Sequence, residues 1–199
     1  WCRQDSFYQG AYPFMAYCGA LSGGKKRTAS EIFAEVLGNN ALAEAVLSVN
    51  AVDTGRNERV FSVAECRYLA LDSYKKQLSS ALERIKNNLP DGGEARDIAL
   101  DIYGYMLEIY SGLTLSALAN DVFDGYEQGK TAEGLACRLN EIINNYRTVY
   151  ENGKTLWKKY REGVESEGNA FDKKYTGIIE RLSAEKERLE ESGKRGVLV

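Results

Sequence analysis

From Leu135 through Leu139, Ile142, Tyr146, Val149 and Leu156 to Tyr160, apolar residues recur at alternating steps of four and three, provided Gly153 is counted as a hole in the seam. Steps of that size put side chains on one stripe of an α-helix, the a/d pattern of helices packed lengthwise on one another. The flanking stretches repeat it. Ile98, Ile102, Tyr105, Ile109, Gly112, Ser116, Ala119, Phe123 and Tyr126 precede the seam, and Phe171, Tyr175, Ile178, Leu182 and Leu189 follow it. The spacing predicts three long helices, over 94–128, 131–163 and 169–191, sharing one core. Gly129 caps the first and Thr131 begins the second. A hairpin that short makes its helices antiparallel neighbours, so the topology is up-down-up. Gly104, Gly112, Gly125, Gly134 and Gly153 interrupt the first two long helices. Each costs about 1 kcal/mol against Ala, which predicts that a facing Tyr or Phe approaches the backbone there.

Ahead of the bundle the elements are short. Phe7, Tyr8, Ala11, Phe14, Met15, Cys18 and Leu21 lie on a broad apolar face of a first helix. Pro13 requires that helix to begin near Tyr12 or to kink, and Ser22, Gly23 and Gly24 end it. Thr28 and Glu31 form a capping box, Ile32, Phe33, Val36 and Leu37 make a buried face, and Gly38 closes the helix. Asn40 is expected to cap a further helix over 41–48 carrying Leu42, Ala45 and Val46. A loop over 50–60, a helix over 63–71 and one over 73–88 with the stripe Tyr74, Leu78, Leu82 and Ile85 complete this part. Pro90, Asp91, Gly92 and Gly93 make the clearest break. The fold class is therefore all-α, a single domain over 1–199. It has a short-helix subregion (1–90), a bundle of three long helices (91–192) and a tail (193–199) whose Val197, Leu198 and Val199 could pair with a sheet edge.

Composition narrows the functions. With 44% hydrophobic and 28% charged residues, no apolar run approaches the roughly 20 residues of a membrane span, and no membrane partner is expected. A formal charge of -3 of mixed sign argues against a nucleic-acid surface, which needs a concentrated basic face. Lys25, Lys26 and Arg27 form the one basic cluster, in a Gly-rich turn. There is no His, and Cys2, Cys18, Cys66 and Cys137 show no CxxC spacing. No metal site or other cofactor is expected, and the thiols read as separate, buried or partly buried groups. Without His the usual general base and the Ser-His and Cys-His pairs are missing, which leaves carboxylates as the chemistry the chain could support.

The acids Glu180, Glu185, Glu187, Glu190 and Glu191 alternate with Lys186 and Arg188 as a solvated face. The tyrosines 103, 105, 110, 126, 146, 150, 160 and 175 fit a Tyr-rich core with hydroxyls at its rim better than a ligand-stacking groove. Gly23-Gly24-Lys25 lacks the spacing of a phosphate loop and has no strand before it. The chain begins at Trp1 with no Met, basic n-region or apolar h-region, and so reads as a processed or excised piece.

Two stretches resemble the C-terminal part of family 20 glycoside hydrolases, the bacterial exo-β-N-acetylhexosaminidases with a large helical domain after the catalytic barrel. One is Leu156-Trp157-Lys158-Lys159-Tyr160-Arg161 with Phe171, Gly177 and Arg181-Leu182 after it, similar to the family's Gln-Trp-Leu-x-Glu-Asn run and last helix. The other is Trp1 ahead of Tyr12-Pro13-Phe14-Met15-Ala16, similar to the Trp-Gly-Asp motif leaving the last barrel strand and the Leu-Pro helix after it. The order of elements agrees along nearly the whole chain, including Ile32-Phe33-Ala34-Glu35-Val36-Leu37-Gly38. Cys2 and Arg3 stand where the family has Gly-Asp, with Asp5 further on. The resemblance thus implies Trp1 and Asp5 as substrate-binding residues, the acidic role resting on a displaced side chain. It implies no catalytic residue in this chain, because the family's Asp-Glu pair sits in the barrel. The implied partners are the chain's own upstream barrel, an N-acetylhexosaminide bound by the parent protein, and a second copy in a homodimer. The alternative reading is a free-standing helical interaction module that binds a protein in a groove between long helices.

Overall fold

The computed structural model describes residues 9–49, 72–128, 131–161 and 165–194. A 3-10 turn (Gln9–Ala11) runs into α1 (Tyr12–Ser22), followed by α2 (Ala29–Leu37), α3 (Asn40–Leu47), α4 (Asp72–Asn87), α5 (Gly93–Gln128), α6 (Ala132–Tyr160) and α7 (Glu165–Lys194). The chain is all-α in this description, with short helices first and three long packed helices after them. The expected loop over 50–60, the helix over 63–71, Gly129 and the tail lie outside the described residues.

Local chemistry explains where the short helices start and stop. Pro13 occupies the first turn of α1, where its missing N–H is harmless, so the helix starts at Tyr12 without a kink. Thr28 Oγ1 accepts from the Glu31 N–H at 3.2 Å while the Glu31 carboxylate accepts from the Thr28 N–H at 2.8 Å. The Thr28 N–H and, at 3.0 Å, the Thr28 hydroxyl both donate to the Glu31 carboxylate and hold that carboxyl below its ordinary value. Gly38, at φ +66°, ends α2 in the left-handed region that favours glycine. Asn39 rather than Asn40 caps α3: its Oδ1 accepts from the Leu42 N–H at 3.1 Å, and Asn40 is already helical. Of two adjacent asparagines, the one with extended backbone can turn its side chain back onto the first turn.

The seam of α6 is buried as its spacing requires, at Leu135, Leu139, Ile142, Tyr146, Val149, Gly153 and Leu156, widened by Ala136 and Ile143. Phe171, Tyr175 and Leu189 of α7 and Tyr74, Leu78, Ala81, Leu82 and Ile85 of α4 join the same core, with Ile178 and Leu182 half-buried against it. α5 departs from the expected single stripe, since Tyr105 is exposed and Asp97, Ile98, Ala99, Ile102, Met106, Leu107, Ser111, Leu113, Thr114, Ser116 and Leu118 are buried. It is packed by α4 and by α6, so it needs apolar or small residues on more than one side.

The three long helices run up, down and up. Tyr160, at the end of α6, reaches Asp97 near the start of α5, whereas Gly153 faces Phe171 and Gly193 at the end of α7 lies by Ala132 at the start of α6. The second long helix ends at Tyr160, short of the expected 163, and the third begins earlier than expected, at Glu165. Of the interrupting glycines, Gly153 behaves as expected: a Cβ built there would lie 2.3 Å from Phe171 Cζ. Gly104 faces nothing within 4 Å, and Gly134 meets only Thr131 Oγ1, the cap of its own helix. Gly112 is buried, and Gly125 lies outside the residues whose side chains are described. An unanticipated close approach occurs in α7, where a Cβ on Gly168 would lie 3.1 Å from Trp157 Nε1.

The Phe171 ring cannot step aside, because it packs on Tyr175 at 4.7 Å, Trp157 at 5.6 Å and Tyr150 at 5.9 Å between centroids. Gly153→Ala should therefore destabilise the fold by about 1–3 kcal/mol, despite the better helix propensity of Ala. Urea unfolding followed at 222 nm measures it, and an unchanged or raised midpoint would contradict the packing described.

Candidate functional site

Trp1 and Asp5 lie outside the described residues, and so do Cys2 and Cys66. What can be placed is the helix next to them in sequence. α1 contains no charged residue, a composition that in a folded protein belongs under cover. Yet Tyr12, Phe14, Met15 and Leu21 are 49, 50, 55 and 52% exposed. At 100° per residue, Leu21, Phe14, Cys18, Met15, Gly19 and Tyr12 sweep the outward half of the helix, and Pro13, Ala16, Tyr17 and Ala20 the inward half. The Phe14 ring makes an edge-to-face contact with Phe33 at 4.9 Å between centroids, which ties this side chain to α2. Lys25 and Lys26 are exposed just beyond its C-terminal end, while Arg27 pairs with Glu35 at 2.6 Å. Cys18 and Cys137 are free and exposed, against the expectation of buried thiols. Each projects from the outer side of its helix, where no core residue competes for the position.

The carboxylates form a second feature. Asp97, Asp101 and Glu108 recur on α5 at steps of four and seven, one side of the helix with Gly104 between them. Asp97, buried, accepts from Tyr160 Oη at 2.5 Å and from the Lys159 ammonium. Asp101 accepts from the Gly10 N–H at 2.7 Å. Burial raises its carboxyl above the ordinary value, while the Gly10 bond and the Arg161 charge pull it back. Glu108 accepts from Tyr175 Oη at 2.8 Å and Lys174 Nζ at 3.1 Å. Tyr146, buried beside it, is pushed up to about 12 by desolvation and by the Glu108 charge. On α7, Asp172 accepts from Tyr150 Oη at 3.1 Å. Each acid ties one helix to another, a cross-linking arrangement in which the accepting oxygens already have partners.

Of the expected Tyr-rich core, Tyr146 and Tyr175 are buried and Tyr103, Tyr110 and Tyr150 half-buried, whereas Tyr105 and Tyr160 are exposed and Tyr126 lies outside the residues whose side chains are described; the hydroxyls of Tyr150, Tyr160 and Tyr175 end on carboxylates. The pairing is long-range, with partners 63 and 67 positions apart for Asp97 and Glu108. A sequence signal existed in the one-sided spacing of the three acids on α5, at positions next to an apolar stripe where solvated acids are unusual. Trp157 offers no open platform, since Phe171 stacks on it and Arg161 lies over its ring at 5.3 Å. The glutamates of α7 pair locally, Arg188 with Glu185 and Lys186 with Glu190, both at 3.0 Å, as a solvated face does. Among the described residues, no helix is long and apolar enough to cross a membrane. Comparison of the chain with protein-family models, curated proteins and solved structures gave no match.

Two outcomes follow from these environments. A tyrosine whose folded pKa is raised contributes stability that is complete below its ordinary value of 10 and is lost as pH rises through about 12. Tyr146→Phe should leave stability near pH 7 almost unchanged and reduce the alkaline loss between about pH 10 and 12 by roughly 2–3 kcal/mol. Urea midpoints of both proteins across that range would show it, and parallel curves would contradict it. Ser111 Oγ, one turn beyond Glu108, is fully buried with no hydrogen-bond partner. Ser111→Ala removes that unmet group and should raise the thermal midpoint, by about 1 kcal/mol in stability.

Proposed function

We propose that the chain is a non-catalytic C-terminal helical domain of a β-N-acetylhexosaminidase-like glycoside hydrolase, and that the outward face of α1 rests on the catalytic barrel. The observation that carries this reading is the apolar face itself: an uncharged helix with four large side chains half exposed. Contiguous apolar surface of this kind, rich in Tyr, Phe and Met, is typical of the core of a protein–protein contact. Its place in the chain supports the barrel as that partner. Tyr12 is 11 residues from Trp1, at most about 40 Å of extended chain, and both carry the resemblance to the segment that leaves the barrel. One neighbour serves both.

The carboxylates support the non-catalytic part of the reading, because their accepting oxygens are engaged in holding helices together. A groove between long helices, the form in which a free-standing module would bind, gains less support, since the α6–α7 seam is filled by Tyr150, Trp157, Phe171 and Tyr175.

The reading is tested by expressing the segment encoded immediately upstream and titrating it with this chain. Binding is expected, with Met15→Asp or Leu21→Asp weakening it at least tenfold while leaving the far-ultraviolet spectrum unchanged. On an aryl N-acetylglucosaminide the chain alone should give no turnover. Hydrolysis by the chain alone, or an upstream frame without a barrel-type Asp-Glu pair, would overturn the proposal in favour of an enzyme or an independent binding module.

A further inference from the structure

α1 begins without the usual local cap. Its flanking residue Ala11 has no side-chain oxygen to offer, and no side-chain cap bond is made there. The first N–H groups of a helix need an acceptor, and they carry the positive end of the helix dipole. The Gly10 N–H, in the 3-10 turn that leads into α1, finds its acceptor 91 residues away, in Asp101 Oδ2 of α5 at 2.7 Å. The approach is close enough to depend on glycine, since a Cβ on Gly10 would lie 3.0 Å from that oxygen and 3.3 Å from Ile102 Cγ1. The turn packs extensively on α5, whereas α1 itself packs on α2.

We infer that Asp101 is the positioning residue of α1, a tertiary N-cap through which the long-helix bundle sets the placement of the apolar face. The use of that face for docking rests on the function proposed above; the cap does not. Among the described residues, Asp101 is the polar hold of the bundle on the start of α1; without it the turn keeps its packing on α5 and α1 its packing on α2, with no hydrogen bond shown to fix the two together.

The cap also has a protonation state. Arg161, at the C-terminal end of α6, is the charge that acts on Asp101 from a neighbouring element. Asp97, one turn earlier on α5, is engaged with Lys159 and Tyr160, Tyr105 lies one turn later, and Gln9, Gly10 and Ala11 carry no titratable group. Burial outweighs the hydrogen bond and the Arg161 charge, so the carboxyl sits above its ordinary value. The contribution made by the turn itself, the Gly10 N–H bond, acts the other way and favours the ionised carboxylate.

Hydrogen exchange of the full chain, read on peptides covering residues 9–22 and corrected for intrinsic rates between pH 4.5 and 8, tests this. Asp101→Ala should speed exchange of this segment at least tenfold. Asp101→Asn, which still accepts from Gly10 but cannot ionise, should restore most of the wild-type protection, with a flat pH profile. Gly10→Ala leaves α5 untouched and should speed exchange of the same peptides, a second route if Asp101→Ala fails to fold. Asn behaving like Ala, or unchanged exchange in Asp101→Ala, would overturn the cap. If exchange responds as expected but the upstream segment does not bind, the cap stands and the docking reading falls.

Discussion

The Phe171 ring lies against the backbone of α6 at Gly153, where any side chain would collide with it. That contact seats a ring of α7 directly on the backbone of α6 at one point along their length. The ring is then wedged among Tyr150, Trp157 and Tyr175, and Trp157 bears on α7 again at Gly168. Two glycine contacts about one helical turn apart on each helix define a register as well as a spacing. Close-packed aromatic rings have few alternative arrangements, so a slip of one residue would leave both a void and a clash.

The polar contacts of the interior depend on that register. Tyr175 reaches Glu108 only because Phe171 fixes α7 against α6, and Tyr160 reaches Asp97 because α6 lies antiparallel on α5. Carboxylates out of water are costly unless bonded. Here each receives a phenol hydroxyl, an ammonium or a backbone N–H, bonds that are stronger when the acceptor is charged. Their contribution is to selectivity as much as to stability, because an alternative packing that left Asp97 or Glu108 without donors would carry the full desolvation cost. The physical property that disqualifies these acids as idle surface charges is therefore the one that commits them to structure.

α1 obeys a different logic. Its composition belongs to a covered helix, yet four of its large side chains are half exposed, and the turn before it is held by an acid from the bundle. An apolar surface fixed in position loses little conformational freedom on meeting a partner. Its placement beside the segment that carries Trp1 ties the two features to one neighbour in the proposed reading.

Much of the architecture was legible from residue order. The four-and-three spacing of α6, the capping box of Thr28 and Glu31, Gly38 as a stop, Thr131 as a start and Pro13 in a first turn all depend on interactions within a turn or two, which residue order contains. The sequence by itself thus determined an all-helical chain, its principal seam and the ends of most short helices. Only the tertiary structure decided that α5 is buried on several sides, that Phe171 is the ring facing Gly153, that the tyrosine hydroxyls end on Asp97, Glu108 and Asp172, and that Gly10 rests on Asp101. The reason is range: periodicity records which face of a helix avoids water, whereas the identity of the side chain opposite depends on the register between helices, which packing across the core sets.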